Sequence, residues 1–361
     1  MAQQKPLVRH HAKYVRLTRE EYRRRFDQRY FDPEFDALKP ELDRLFEAAW
    51  DGYANGRKAP RTRKAGPGFA DPAYEISVEW LAARDAVARA EARQRDPASP
   101  PRILLVNGAS RSEHTCPGEM SKTLRLALHA RRAIEAEPDF QVDFLDLSAL
   151  TDEPMKLIHP CKTCVSTSMA LCHWPCSCYP NHGLGQVNDW MDELYPRWAA
   201  AHGVMILCPV NWYEAPSGLK LMIDRLVCAD GGNPDPSSTH GKNAEEAKRL
   251  ELAGWPYPRH LAGRGFAVVT HGDAAGPEDL RRHLCDWLSD MGLVQAGRLG
   301  AMDTYIGYYE PYATSHETLD AQPEIFAEVE NAAKSLVDLV RGLRSGEFQP
   351  PDAALRDPRQ K

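Results

Sequence analysis

RILLVNGASRSEHTCPGEMSKTLRLALHARRAIEAE, Arg102–Glu137, holds three kinds of segment in succession. RILLVNG (Arg102–Gly108) is a short apolar run of the kind a fully buried strand needs. The residues after it are rich in Ser, Thr, Gly and Arg and read as a loop. From Met120 the apolar positions recur at helical spacing. Outward from this strand–loop–helix unit the alternation repeats. QVDFLDL (Gln141–Leu147) predicts a second strand. HGVMILCPV (His202–Val210) predicts a third, with a helix through GLKLMIDRLV (Gly218–Val227). GRGFAVVTHGD (Gly263–Asp273) predicts a fourth strand, with a helix over Pro277–Gly292. LVQAGRLGAM (Leu293–Met302) predicts a fifth, and a long helix over Pro323–Gly346 closes the body. Five strands alternating with helices predict an α/β fold with a doubly wound, five-stranded parallel sheet covered on both faces.

The first hundred residues are different. They lack a strand pattern and read as short helices near Arg19–Tyr30, Pro33–Ala54 and Ile76–Arg93, separated by Pro60, Gly66, Pro67 and Gly68. RDPASPP (Arg95–Pro101) marks a boundary. The expected organisation is a helical N-terminal arm (1–100), the α/β body (101–345) with a Cys-rich insertion (159–182), and a tail (346–361). The arm carries more basic than acidic side chains and the remainder is acidic, for a net charge of −6 over 361 residues. That balance argues against a nucleic-acid partner. With 43% hydrophobic residues the chain has material for a core, and its 28 prolines predict long ordered loops. No apolar run approaches the roughly 18 residues of a membrane span, and the N-terminus lacks the apolar segment of a secretory signal. The expectation is a cytoplasmic protein with no membrane partner.

In an open parallel sheet, ligands bind beyond the carboxyl ends of the strands, where strand order switches. NGASRSEHTCPGEMSKT stands there, with neither Gly-x-Gly-x-x-Gly nor a Gly-Lys-Thr ending, against a dinucleotide fingerprint and a P-loop. A hydroxyl-rich loop opening a helix still suits a phosphomonoester, through backbone N–H groups, hydroxyls and an arginine. Ser110, Arg111, Ser112, Ser121, Lys122 and Thr123 are the candidates; the alternative is an ordinary surface loop whose serines cap the helix.

GASRS, SKT and, above all, CPVNWYEAPSGLKLMIDRL (Cys208–Leu226) resemble the flavodoxin-like NADPH-dependent FMN reductases, which are related to iron–sulfur flavoproteins. That family shows Gly-Ser-x-Arg at its phosphate loop and Gly-x-Leu-Lys-x-x-Ile-Asp-Arg after its third strand. The insertion SEHTCPGEM and Lys122, where asparagine is usual, depart from the pattern. The resemblance spans about Arg102–Gly300. It implies a flavodoxin-like fold with strand order 2-1-3-4-5, and FMN with its phosphate at Ser110–Ser112 and Ser121–Thr123. The flavin ring would lie between Pro209, Val210, Asn211, Trp212 and Tyr213 on one side and His271, Gly272, Asp273 and Gly276 on the other. N–H groups near Asn211 and Gly272 would bond its polar edge, and His271 is a candidate proton donor or a structural histidine. Trp212 and Tyr213 either flank the ring or pack in the core. NAD(P)H would deliver hydride to the flavin, which passes electrons to a quinone, flavin or other small acceptor, in a homodimer or homotetramer.

HPCKTCVSTSMALCHWPCSCYPNHG places Cys161, Cys164, Cys172, Cys176 and Cys178 close together, with His159, His173 and His182 nearby. Three readings compete: an iron–sulfur cluster, which would make the protein an electron-transfer flavoprotein; a structural zinc; or buried reduced thiols. A non-catalytic redox or metal sensor is the rival function. Three further stretches stand out. RKAPRTRK (Arg57–Lys64) is solvated charge or a phosphate grip. Ala229–Asn243 is an ordered loop, read as a flap or dimer contact. TYIGYYEPY (Thr304–Tyr312) lines a pocket or a subunit contact.

Overall fold

In the computed structural model, residues 17–55, 61–179 and 189–348 are described. Along the chain run α1 (Arg19–Arg29), α2 (Lys39–Ala54), β1 (Thr62–Lys64), β2 (Glu75–Ser77), α3 (Val78–Arg95), β3 (Arg102–Asn107), α4 (Lys122–Glu135), β4 (Gln141–Asp146) and α5 (Ala149–Asp152). There follow α6 (Met191–Ala200), β5 (Gly203–Pro209), α7 (Ser217–Arg225), α8 (Ala244–Leu252), β6 (Gly265–Gly272), α9 (Pro277–Asp290), β7 (Val294–Gln295), β8 (Ala301–Tyr305), α10 (Ser315–Asp320) and α11 (Pro323–Ser345). Two compact units result. One comprises Met1–Asp85, Lys162–Asp192 and Asn233–Trp255; the other comprises Ala86–Cys161, Glu193–Gly232 and Pro256–Lys361. Among the described residues no helix is long and apolar enough to cross a membrane.

The second unit is built on a parallel sheet in the order β4-β3-β5-β6-β7, with β8 also paired to β6. Counted from β3, this is the order 2-1-3-4-5. Strands β3, β5 and β6 are nearly solid apolar runs because both faces are covered. Ile103, Leu105, Met205, Leu207, Ala267 and Val269 share one core with α4 and α11. On α4 the buried residues Leu126, Ala127, Ala130 and Ile134 fall on one helical face, as do Ile325, Val329, Ala332, Leu336 and Val340 on α11. Gly108 ends β3 in close contact with β5. A Cβ there would lie 2.8 Å from the Cys208 Cβ and 3.1 Å from the Leu207 carbonyl oxygen, so a glycine lets the loop leave between the strands.

The predicted fifth strand over Leu293–Met302 is a correction. It splits into β7, beside Gly265 and Phe266, and β8, beside Val268–Gly272. Between them Gly297, at φ +64°, and a 3₁₀ turn at Arg298–Gly300 interrupt the run. Both pieces occupy the edge of β6 that β5 leaves open. The sheet has five strand positions and six strand segments.

In the first unit, α1 and α2 close a small aromatic cluster of Tyr22, Phe26 and Phe46. The segment expected to be only helical also contains the antiparallel pair β1–β2. Ala65, Ile76, Trp80 and Leu81 pack beside it, and the Trp80 indole donates to the Pro175 carbonyl at 2.9 Å.

Candidate functional site

A cleft of about 330 Å³ opens at the carboxyl ends of β3, β5 and β6, at the switch in strand order. It is lined by Ser110, Arg111, Ser121, Lys122 and Thr123 after β3, by Pro209, Val210 and Asn211 after β5, by His271, Gly272 and Asp273 after β6, and by Ala109 and Tyr312. A groove of about 950 Å³ beside α1 is larger. Its charges are largely spent on one another, through Arg19–Glu47 and Arg23–Asp27 pairs. Convergent polar groups, not size, single out the smaller cleft.

Ser121 is the N-cap of α4 and accepts from the Leu124 N–H at 3.2 Å. The N–H groups of the first helical turn have no intrahelical partner, and together they form an anion-binding end. Lys122 is the first residue of that helix and only 5% exposed. Its ammonium donates to the Ile306 carbonyl at 3.4 Å and lies 5.0 Å from the Tyr312 ring centre. Among the described residues no carboxylate comes within ion-pair distance of it. Burial pushes its pKa down, with the charge of Asp273 opposing. A cation at a helix N-terminus also opposes the helix dipole. Arg111 approaches the other face of the problem: its guanidinium carbon lies 4.8 Å from the Tyr312 ring centre, and Nη2 donates to the Pro117 carbonyl. Its Nε is buried without a hydrogen-bond partner. Arg111 also pairs with Glu119 at 3.8 Å, so of the two cations at this helix start only Lys122 lacks a carboxylate among the described residues.

Ser112 departs from expectation. Its hydroxyl donates to the Asp152 carboxylate and accepts from the His114 N–H at 3.1 Å. Hydrogen bonds from Ser112 and Thr115 hold the Asp152 carboxyl below its usual range. Ser112 therefore organises the loop and is not turned to a ligand. Asn211 is a second correction, since its N–H is committed to the Glu214 carbonyl at 2.9 Å.

Between Asn211 and Glu214 the chain makes a two-residue turn, closed also by the Glu214 N–H on the Asn211 carbonyl at 3.1 Å. Trp212 and Tyr213 sit at its centre with φ of +49° and +67°. Positive φ at both central residues is the type I′ pattern, which Asn-Gly satisfies without strain and bulky residues do not. The turn leaves Trp212 94% and Tyr213 64% exposed, so neither packs in the core. Gly276, at φ +107°, lets the loop after β6 close on this turn. A Cβ there would stand 3.2 Å from Val210 Cγ1 and 3.3 Å from the Tyr213 Cα.

His271 is corrected as a proton donor. It is 3% exposed, with Nε2 bonded to Thr123 Oγ1 at 2.8 Å and Nδ1 without a partner. Burial, helped by Lys122, pushes its pKa down to about 3, so the ring is neutral at ordinary pH. The unfolded chain takes up this proton near pH 6.5 and the folded chain only near 3. Stability from this group is therefore complete above pH 6.5 and declines as pH falls toward 3. His271→Gln is expected to flatten the acid limb of stability, read from urea melts at about pH 7 and about pH 4. An unchanged slope would remove His271 as its source.

In the other unit, the Cys-rich segment is ordered around Lys242. Cys172, Cys176 and Cys178 are buried and Cys164 is half-buried. The sulfurs of Cys164 and Cys178 lie 3.3 Å apart, and the Lys242 ammonium donates to the Leu171 carbonyl at 2.8 Å. Burial works against the Lys242 charge, but the thiols of Cys178, Cys164, Cys176 and Cys172 outweigh it and raise its pKa. His173 uses both ring nitrogens, on Ser177 and Thr239. Among the described residues no group of three or more Cys, His, Asp or Glu side chains is arranged to hold a metal ion. A lysine ammonium brings positive charge to the thiols, and among the described residues the metal reading of Cys161, Cys164, Cys172, Cys176 and Cys178 has no ligand set behind it. His182 lies outside the described residues.

The other stretches resolve simply. Arg61 pairs with Glu79 and Lys64 donates to the Ala73 carbonyl, while Arg57 and Lys58 lie outside the described residues. Asn233 exchanges backbone hydrogen bonds with Cys172 and Trp174, tying that loop to the Cys-rich segment. Tyr312 was legible only as one of several aromatics, and nothing in its neighbours in sequence points to a phosphate loop 192 positions from it at Met120.

A 2-1-3-4-5 parallel sheet with a cation-bearing cleft at its switch point defines a flavodoxin-like protein. Residues 101–305, more than half of the chain, match the family described as NADPH-dependent FMN reductase, and the chain belongs to that family. No curated protein sequence matches it. Among solved structures it is similar to RosB with bound 8-demethyl-8-formylriboflavin-5′-phosphate (13% identity, 69% of this chain, 82% of that one, TM-score 0.47). It is also similar to the apo form of the NADH:FMN oxidoreductase EMOB (14%, 70%, 93%, 0.36) and to a WrbA-like flavodoxin from Agrobacterium tumefaciens (9%, 68%, 99%, 0.33). None of these scores reaches 0.5, and the reading of the site rests on its residues and on the family.

Proposed function

We propose that this protein is an FMN-dependent NAD(P)H oxidoreductase that passes electrons to a quinone, a flavin or another small acceptor. The observation that carries this reading is Lys122, a buried cation at a helix N-terminus with no carboxylate partner among the described residues. The residues present fit FMN. Lys122, the buried Nε of Arg111 and the first N–H groups of α4 suit its phosphate dianion, and Tyr312 covers both cations. FMN, when bound, supplies the hydride chemistry, as cofactors generally do. The chain's part is to hold the phosphate, to offer the exposed faces of Trp212 and Tyr213 to planar rings, and to keep a neutral His271 behind Thr123. We place the protein in the cytoplasm as a homodimer or homotetramer, in keeping with the family. An iron–sulfur or zinc role is not favoured by any ligand set among the described residues.

The test is reconstitution. FMN titrated into the flavin-free protein is expected to bind at one per chain, with turnover of NADPH or NADH by a simple quinone under anaerobic conditions. Failure to bind FMN would overturn the reading, and binding without turnover would leave a flavin-carrying sensor in its place.

A further inference from the structure

The Cys-rich segment contains a feature that flavin reduction does not use. Cys164 opens a 3₁₀ turn, Cys164–Ser166, and is half-buried, whereas Cys178 is 5% exposed. Their sulfurs are in direct contact at 3.3 Å although 14 residues separate them. A disulfide requires a separation near 2.05 Å, so roughly 1.3 Å of approach is needed, within reach of side-chain rotation. The half-buried Lys242 ammonium is anchored beside them on the Leu171 carbonyl. A lysine charge next to a partly accessible thiol is the usual setting of a nucleophilic cysteine.

We propose that Cys164 and Cys178 are a reversible redox pair, with Cys164 the attacking sulfur, oxidised by low-molecular-weight disulfides. The assignment of roles follows from exposure, because only Cys164 has a surface an external disulfide can meet. Lys242, anchored beside the pair, favours the thiolate form of Cys164 over the thiol. The Cys164 thiolate attacks one sulfur of the external disulfide RSSR, forming a Cys164–SR mixed disulfide and releasing RS⁻. Cys178 then gives up its proton and displaces the second RS⁻ from Cys164. The sum is two protein thiols plus RSSR yielding one protein disulfide and two RSH. Two electrons pass to the external disulfide, and the reverse reaction restores the dithiol. The step is independent of flavin.

The experiment uses the full chain loaded with FMN and equilibrated over graded ratios of reduced to oxidised glutathione. It is then acid-quenched, alkylated after unfolding and mapped by peptide mass. The expected result is joint loss of alkylation at Cys164 and Cys178 with appearance of their cross-linked peptide, while Cys208 and Cys228 stay fully alkylated. Cys178→Ser is expected to stop at a glutathione adduct on Cys164, and Cys164→Ser to leave Cys178 unmodified. Lys242→Gln is expected to slow adduct formation severalfold, since thiolate fraction contributes to the rate. Full alkylation at every ratio would overturn the proposal. So would a cross-link from Cys164 to Cys172 or Cys176, or stoichiometric iron or zinc that shields the thiols. The wild-type cross-link decides the matter even where a variant fails to fold.

Discussion

Lys122→Met is expected to weaken FMN binding by about 1.5–3 kcal/mol, the worth of a charge-assisted hydrogen bond, or roughly ten- to over a hundredfold in affinity. The same substitution is expected to raise the unfolding free energy of the flavin-free protein. The opposite signs come from one cause. Without an anion, the Lys122 ammonium is buried, stands at the positive end of α4 and has only a long bond to the Ile306 carbonyl. A methionine of similar length removes the cost of burying that charge and keeps the packing. With phosphate present, the ammonium is repaid in full and the methionine contributes nothing. Proton linkage gives a second readout. Because burial lowers the folded pKa, the unfolded chain holds more protons between that value and about 10.4, so flavin-free stability rises with pH through this window. Lys122→Met should abolish the rise. Fluorescence titration of FMN and urea unfolding across alkaline pH measure both effects. Unchanged FMN affinity, or a less stable flavin-free variant, would refute the assignment of Lys122 to the phosphate.

What was legible in sequence depended on how local the signal was. The runs RILLVN, GVMILCP and GFAVVTHG are buried on both faces, so their apolar continuity alone marks β3, β5 and β6. β1 and β2 are three residues each and carry Arg63, Lys64 and Glu75, too short and too charged for a period-two pattern. The fifth strand position was found, but its interruption at Gly297 depends on pairing with β6 that no local pattern encodes. The cleft residues of the β3–α4 segment were readable from composition; their division of labour was not. Ser110 and Ser112 look alike in sequence, and only the distant Asp152 takes Ser112 out of the site. Cysteine density was plain, but Lys242 gives it its charge environment from a separate helix-flanking loop, and the resulting thiol pair cannot be read from spacing.

Replacing Trp212 with Asn and Tyr213 with Gly together is expected to stabilise the protein and impair it. The left-handed conformation costs a non-glycine residue about 1–2 kcal/mol, and here two bulky residues hold it side by side. Asn-Gly is the sequence this turn prefers, so thermal melts should move upward, provided the Asn211–Glu214 hydrogen bonds persist. Strain of this kind survives where it places side chains for use. The turn follows Asn211 of the cleft wall and holds two aromatic faces in solvent, an arrangement with no folding benefit. Each ring that stacks on a flat partner contributes about 0.5–1.5 kcal/mol beyond its buried area, so losing both should lower the combined affinity for FMN and nicotinamide roughly tenfold or more. Trp212→Phe alone, which retains a ring, should lie close to wild type. The measurements are melting midpoints, FMN titrations and the dependence of turnover on NADPH. A stabilised double variant that binds FMN and turns over NADPH as well as wild type would show that the strained turn serves neither ring. A destabilised one would show that the turn is not strained at all, and that Trp212 and Tyr213 support the fold through contacts the exposed rings do not reveal.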